Sequence, residues 1–158
     1  RIYSEPSGSI VGVPDGMYNN ILFINDMLSD EQLVGLHNQV DCLLYPSIGE
    51  GFGLHPLEAL ASGLPTICTS NWAEYEKFIT VPIEGKLSPC PWQDLHPGDT
   101  FNVTKEQVKE AMLDMVENYD KYAKQTFKNA FLIHDEYSWD NVNLKAAKRL
   151  KEIKNSRI

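Results

Sequence analysis

The 158-residue sequence contains no apolar run near the roughly 20 residues needed to cross a bilayer, no internal repeat and no low-complexity tract. It opens on Arg1-Ile2-Tyr3-Ser4-Glu5-Pro6-Ser7-Gly8, which has neither an initiator Met nor the pattern of a secretory leader. Cysteine is scarce. Cys42, Cys68 and Cys90 are too far apart for a zinc ribbon and odd in number, so they suggest neither a metal cluster nor a complete disulfide framework. Cys42 and Cys68 lie in apolar runs, where a free thiol usually packs as a small hydrophobe. Positive charge is scarce too: 14 basic against 22 acidic residues give a net charge of -8, which argues against a general nucleic-acid or anionic-membrane surface. His37, His55, His96 and His134 have no metal-ligand spacing. These absences leave a globular domain, expected to be cytoplasmic, without a nucleic-acid partner or a bound metal.

What is present is an α/β pattern. The stretch to Asn20 is rich in Gly, Pro, Ser and Asn around Ile10-Val11-Gly12-Val13 and reads as loop with one strand at most. Ile21 to Asn25 is β-prone, followed by Ser29 or Asp30 as a cap and a helix through His37. Cys42-Leu43-Leu44-Tyr45 and Thr66-Ile67-Cys68 form two more short apolar runs flanking a helix at Pro56 to Ala61. Such runs alternating with helices predict a Rossmann-like, doubly wound parallel sheet ending in helices. Residues 80–103, punctuated by Pro82, Pro89, Pro91 and Pro97, read as a long loop excursion without regular structure. Thr104 caps a helix with Val108, Met112, Met115 and Val116 on one face. Two further helices are expected at Tyr119 to Ile133 and at 138–154. The Lys/Arg-rich end reads as a solvated helix face, with contact to the cytosolic membrane surface as a second role. Asn102-Val103-Thr104 matches a glycosylation sequon that a chain without a secretory leader would not use.

The segment Tyr45-Pro46-Ser47-Ile48-Gly49-Glu50-Gly51-Phe52-Gly53-Leu54-His55-Pro56-Leu57-Glu58 carries the chemistry. Gly49, Gly51 and Gly53 permit a sharp turn and bring N–H groups close to a ligand. Pro56 suits the first position of the next helix. A glycine turn feeding a helix N-terminus at the carboxyl end of a parallel strand is an anion site, so a phosphate or diphosphate is the natural guest. Glu50 and Glu58 frame that turn. Carboxylates accept sugar hydroxyls better than they meet phosphate, and an acid near a phosphate site commonly takes a ribose. Taken one at a time, each is better explained by helix-dipole complementarity or plain solvation.

Glu50-Gly51-Phe52-Gly53, then Glu58 eight residues after the first acid, then Ala59-Leu60-Ala61-Ser62-Gly63-Leu64-Pro65, resembles the hallmark of the retaining glycosyltransferases of the two-Rossmann-domain (GT-B) architecture, glycosyltransferase family 4-like. Asp30-Glu31-Gln32-Leu33 to Asp41 and Tyr137-Ser138-Trp139 are similar to the family's surroundings. The resemblance implies that residues 1–158 are a single nucleotide-sugar-binding domain, the C-terminal half of such a fold. Glu50 would contact the donor sugar as the catalytic acidic residue. Backbone groups of Gly51, Phe52, Gly53 and Leu54 would hold sugar and diphosphate oxygens, and Glu58 the ribose. His55, Thr69, Ser70 and Glu74 are further candidates at the same cleft. Phe52 is better read as a ring packed inward than as a substrate contact.

The resemblance further implies hexosyl transfer from a UDP- or GDP-sugar with retention, without a metal cofactor. The leaving diphosphate would assist the acceptor, and neither Glu need be a nucleophile. A glycosidase pair would instead flank one bond within about 5–10 Å. Two departures stand out. The family's Arg and Lys pair has no counterpart, since Arg1 is the sole cation before Lys77. Asn71-Trp72 stands where small, glycine-rich sequence is usual. The expectation is a chain truncated at its N-terminus and inactive by itself, with the sugar, lipid or protein acceptor bound by an absent N-terminal domain. Trp72, Trp92 and Trp139 read as core or loop anchors, Trp92 being the one to test as a sugar platform. The alternatives are a non-catalytic nucleotide-sugar or phosphate-binding module and a sugar-nucleotide epimerase.

Overall fold

The computed structural model describes residues 16–18, 21–24 and 27–156. The chain divides into two units, Arg1–Gly35 and Leu36–Ile158. In the first, β1 (Gly16–Tyr18) pairs antiparallel with β2 (Ile21–Phe23), with Tyr18 opposite Ile21. The expected strand from Ile21 is therefore shorter than the apolar run and belongs to a two-stranded antiparallel pair, not to the parallel sheet. Ile10 to Val13, Asn25 and Asp26 lie outside the described residues. Helix α1 (Asp30–His37) starts at Ser29: the Gln32 N–H donates to Ser29 Oγ and the Ser29 N–H to Gln32 Oε1, a reciprocal cap.

The second unit is built on a parallel sheet of β3 (Leu43–Tyr45), β4 (Thr66–Thr69) and β5 (Val81–Ile83), in that order. Leu43 pairs with Thr66, and Ile67 with Val81. All four residues of β4 are buried because it is central and covered on both faces. Its side chains alternate. Cys68 joins Leu57, Leu60, Tyr75, Phe78 and Ile133 on the face covered by α2 (Leu54–Ala61) and α4 (Tyr119–Tyr137). Ile67 joins Val81, Ile83, Ala111 and Met115 beneath α3 (Lys105–Glu117) on the other. The chain is thus α/β with helices on both faces of a parallel sheet. Pro82 is tolerated in β5 because, among the described residues, that strand is an edge that pairs only with β4.

Residues 80–103 do contain regular structure, contrary to the expectation of an irregular excursion. Besides β5 they form a hairpin of β6 (Lys86–Pro89) and β7 (Asp99–Asn102), antiparallel, with Leu87 opposite Phe101. The prolines fall at an edge strand, at the end of β6 and in the connecting loop, places where a missing donor costs nothing. Thr104 caps α3 through a capping box with Gln107. The buried stripe of α3 is Ala111 and Met115, with Val108 half-buried. Met112 and Val116 sit outside it, Val116 76% exposed. After α4, Ser138 caps α5 (Trp139–Asn155) by accepting the Asn141 N–H. Trp139, expected as a core or loop anchor, is 81% exposed and so is no part of a core.

A buried threonine relay joins the sheet to α4. The Thr66 N–H donates to Thr80 Oγ1 at 3.0 Å, and Thr80 Oγ1 lies 2.8 Å from Thr126 Oγ1. Thr80→Val would leave a buried N–H and a buried hydroxyl unpartnered, a loss of about 1–3 kcal/mol. Thr126→Val should cost less, because Thr80 could still accept from Thr66. Urea unfolding of the two variants checks this order, and equal midpoints would refute it.

Candidate functional site

The carboxyl ends of β3, β4 and β5 lie at one edge of the sheet because the strands are parallel, and the three loops that leave them meet there. From β3 the chain runs through Pro46 to Gly53 into α2. From β4 it passes Thr69, Ser70, Asn71 and Trp72. From β5 it enters the β6–β7 hairpin. Three hydrogen bonds tie these loops together. Trp72 Nε1–H donates to the Ser47 carbonyl at 3.1 Å, the Gly85 N–H donates to Asn71 Oδ1 at 2.7 Å, and the Phe101 N–H donates to the Ile48 carbonyl at 2.9 Å. The unusual pair Asn71-Trp72 thus supplies two of the three ties.

Gly53 is the N-cap of α2, with φ 77° and ψ 61° in the left-handed region, and no side chain caps the helix. Its carbonyl accepts the Tyr75 hydroxyl. A Cβ at this position would come within 3.0 Å of the Trp72 ring and the Tyr75 oxygen. Burial, and then the neighbouring Cys68, Tyr45, Glu50 and Tyr137, push the Tyr75 hydroxyl well above its ordinary range, so it remains a neutral donor. Gly49 and Gly51 differ: their φ is not left-handed, and a Cβ at either would meet open space. The turn therefore needs glycine at Gly53 alone. Pro56 is the third residue of α2, not the first. It is accommodated because the first four N–H groups of a helix lack an intrahelical acceptor.

Glu50 is exposed but oriented. Its Oε1 accepts the Tyr45 hydroxyl at 2.6 Å. Ser47 Oγ lies 2.9 Å from the same oxygen and 3.0 Å from the Gly49 carbonyl, two acceptors for one proton. Phe52, 40% exposed, packs its ring 5.8 Å from Tyr75 and 6.3 Å from Tyr137, which favours the packing role. Leu54 is exposed in the first turn of α2, and Glu58 stands in the second turn, exposed. His55 Nδ1 is 3.8 Å from Glu58 Oε2, and its ring lies 6.2 Å from that of Tyr45. His37 sits beside the same helix, Nδ1 3.4 Å from Ser62 Oγ. Burial lowers its pKa, against the pull of Glu58.

The four further candidates divide. His55 shares the helix with Glu58. Thr69 and Ser70 end β4 at the same sheet edge but are buried, and Thr69 Oγ1 has no hydrogen-bond partner. Glu74 is exposed, and its charge acts on Lys77 and Tyr137. Cys68, within β4, is a packed thiol whose pKa burial, aided by Glu50, pushes up to about 12. Among the described residues no cluster of three or more His, Cys, Asp or Glu could hold a metal ion. Tyr45, Ser47 and Tyr75 were missed in the sequence. The motif spacing signals only the acids and glycines, and nothing local marks the hydroxyls that position them.

The site, then, is an uncapped helix N-terminus behind a left-handed glycine, with an oriented carboxylate before it and a second one a turn inside the helix. Residues 16–85, which contain all of it, match the family described as "Glycosyl transferases group 1". Over that stretch the chain is similar to the glycosyl transferases group 1 family. It is also similar to serotype-specific mannosyltransferase WbdA of Escherichia coli, three forms of which are 38% identical over 52 residues. That alignment covers 33% of this chain and 6% of the relative. The match of group 1 glycosyltransferase residues stops at the base of the hairpin, so β6, β7 and the last three helices lie beyond it.

The contrast between the glycines is testable. Gly53→Ala should destabilise the protein by about 2 kcal/mol or more, from left-handed strain and the clash with Trp72. Gly49→Ala and Gly51→Ala should leave the urea midpoint nearly unchanged. Equal losses at all three positions would contradict the geometry.

Proposed function

We propose that this chain binds the donor in glycosyl transfer from a nucleotide-sugar to an acceptor, with retention of anomeric configuration. The observation that carries this reading is the α2 N-terminus. It faces the loop edge with its N–H groups uncapped by any side chain, next to a carboxylate held by Tyr45. N–H groups there favour a diphosphate through hydrogen bonding and the helix dipole together. Open space at Gly49 and Gly51 lets a ligand approach the backbone. In this reading Glu50 accepts hydroxyls of the donor sugar, Gly51 to Leu54 hold sugar and diphosphate oxygens, and Glu58 takes the ribose. The chain stabilises the departing diphosphate and orients the sugars. It needs neither a nucleophilic carboxylate nor a metal.

The mannosyltransferase relatives favour a mannosyl group as the cargo, carried by UDP or GDP. The acceptor, a sugar, lipid or protein, would be bound chiefly by a second domain. No helix among the described residues is long and apolar enough to cross a membrane. In this reading the reaction runs on the cytosolic side. The shortage of cations before Lys77 favours one rival reading, a module that binds the nucleotide without transferring its sugar.

Calorimetric titration with GDP-mannose, UDP-glucose and the bare diphosphates tests the assignment. Glu58→Ala should weaken nucleotide and nucleotide-sugar alike by about tenfold, the value of one charge-assisted hydrogen bond. Glu50→Ala should weaken the sugar nucleotide by a similar factor and leave the bare diphosphate unaffected. If both variants bind everything as the parent does, the site is wrongly assigned. Binding without turnover by the protein joined to an acceptor-binding domain would favour the non-catalytic module.

A further inference from the structure

The loop between β6 and β7 is closed by its own hydrogen bonds. Cys90 N–H donates to the Gly98 carbonyl at 2.9 Å and closes the loop. Gln93 Nε2 staples it from within, donating to the Cys90 carbonyl at 3.0 Å and the Gly98 carbonyl at 2.7 Å. The Trp92 carbonyl accepts the N–H groups of Leu95 and His96, at 2.9 and 2.8 Å. A backbone fixed this firmly nevertheless holds large apolar side chains in solvent: Trp92 is 58% and Leu95 76% exposed. An aromatic ring presented on a pre-ordered loop loses little entropy when a ligand settles on it.

Position and charge indicate the ligand. The hairpin leaves β5 at the sheet edge where the motif loop leaves β3, and the Phe101 N–H fastens it to Ile48, two residues before Glu50. From Leu87 to Thr104 there is no Lys or Arg, while Asp94 and Asp99 are exposed. Such a surface disfavours a phosphate, a nucleotide or an anionic bilayer. It suits a neutral pyranose, whose C–H face stacks on an indole and whose hydroxyls donate to carboxylates.

We infer that the β6–β7 loop, through Trp92, is a platform for a neutral carbohydrate on the acceptor side of the site. The inference rests on the sugar-transfer reading, but not on the donor contacts assigned to Glu50 and Glu58. The chain has three tryptophans, Trp72, Trp92 and Trp139, so its indole N–H resonances report each separately. In the full chain, millimolar mannobiose should shift the Trp92 indole signal saturably, the signal being assigned by its loss in Trp92→Phe. The Trp139 signal should stay in place, and GDP should leave the Trp92 signal unmoved. Trp92→Ala should weaken mannobiose about tenfold, read from the hairpin amides, and Trp92→Phe by only a few-fold, because the stacking face remains. GDP affinity should be the same in all three proteins. No saturable shift at Trp92, equal shifts at Trp92 and Trp139, or displacement by GDP or by vesicles of anionic lipid would overturn the platform. Loss of GDP binding in Glu58→Ala with the mannobiose response intact, or the reverse, separates the platform from the donor assignment.

Discussion

Three hydrogen bonds among the loops at the carboxyl edge of the sheet, Trp72 to Ser47, Asn71 to Gly85 and Phe101 to Ile48, are the constraint on which the site depends. A loop ordered for binding gives up backbone entropy of about 1–2 kcal/mol per residue, and each such bond returns only about 1 kcal/mol net. Separately, none could hold the motif loop. Acting as a set they close a ring, β3 loop to β4 loop to β5 loop and back, so that loosening one tie releases a segment still held at its other contacts. The motif loop is thereby ordered before any ligand arrives.

Packing fixes the remaining freedom. Trp72 and Tyr75 stand edge to face at 6.4 Å, Tyr75 and Tyr137 at 6.5 Å, and Phe78 and Tyr137 at 6.4 Å. This aromatic group connects the end of α4 to Gly53 and Phe52. Gly53 therefore has a double requirement: the left-handed backbone that starts α2, and the absence of a side chain where two rings converge. The polar side is fixed by Tyr45, which reaches five residues along the loop to orient Glu50. Its strand supplies the rigidity, since the residue lies in β3 and is paired with Cys68 of β4.

Features written in local sequence were legible in it, and those set by distant partners were not. The parallel sheet followed from short apolar runs at Cys42 to Tyr45 and Thr66 to Cys68, and the caps at Ser29 (or Asp30) and Thr104 from polar residues ahead of helical spacing. Pro56 misled because a proline at the third helical position costs no more than one at the first. Counting residues could not separate these cases, and the left-handed conformation of Gly53 decided between them. Residues 86–102 hid a hairpin, since its strands are short and polar and its register is set by cross-strand pairing and by the Ile48 carbonyl. On α3, Val116 fell one position off the buried stripe, an error of a single helical step. Of the site, the acids and glycines were legible and their supports were not. Tyr45 precedes the motif, Trp72 and Tyr75 follow it by about twenty residues, and only the fold makes them neighbours.

A diphosphate at the α2 N-terminus, as proposed, would draw few cations from the sequence around the motif, and the rigidity of the loops bears on that. No cation lies between Arg1 and Lys77, while Glu50 and Glu58 add negative charge next to the helix end. A helix terminus carries only about half a positive charge, less than the charge of a diphosphate. Such a dipole compensates best when it does not have to be reoriented on binding, because fixed N–H groups spend none of their interaction energy on rearrangement. A flexible motif loop would forfeit that advantage, whereas a mobile lysine would not need it, since its charge follows the ligand. The ring of loop ties and the crowded left-handed glycine would thus suit the backbone-held phosphate of the proposed reading. The two carboxylates are tolerable there only if they point at hydroxyls, which is the direction the Tyr45 hydrogen bond begins to impose on Glu50.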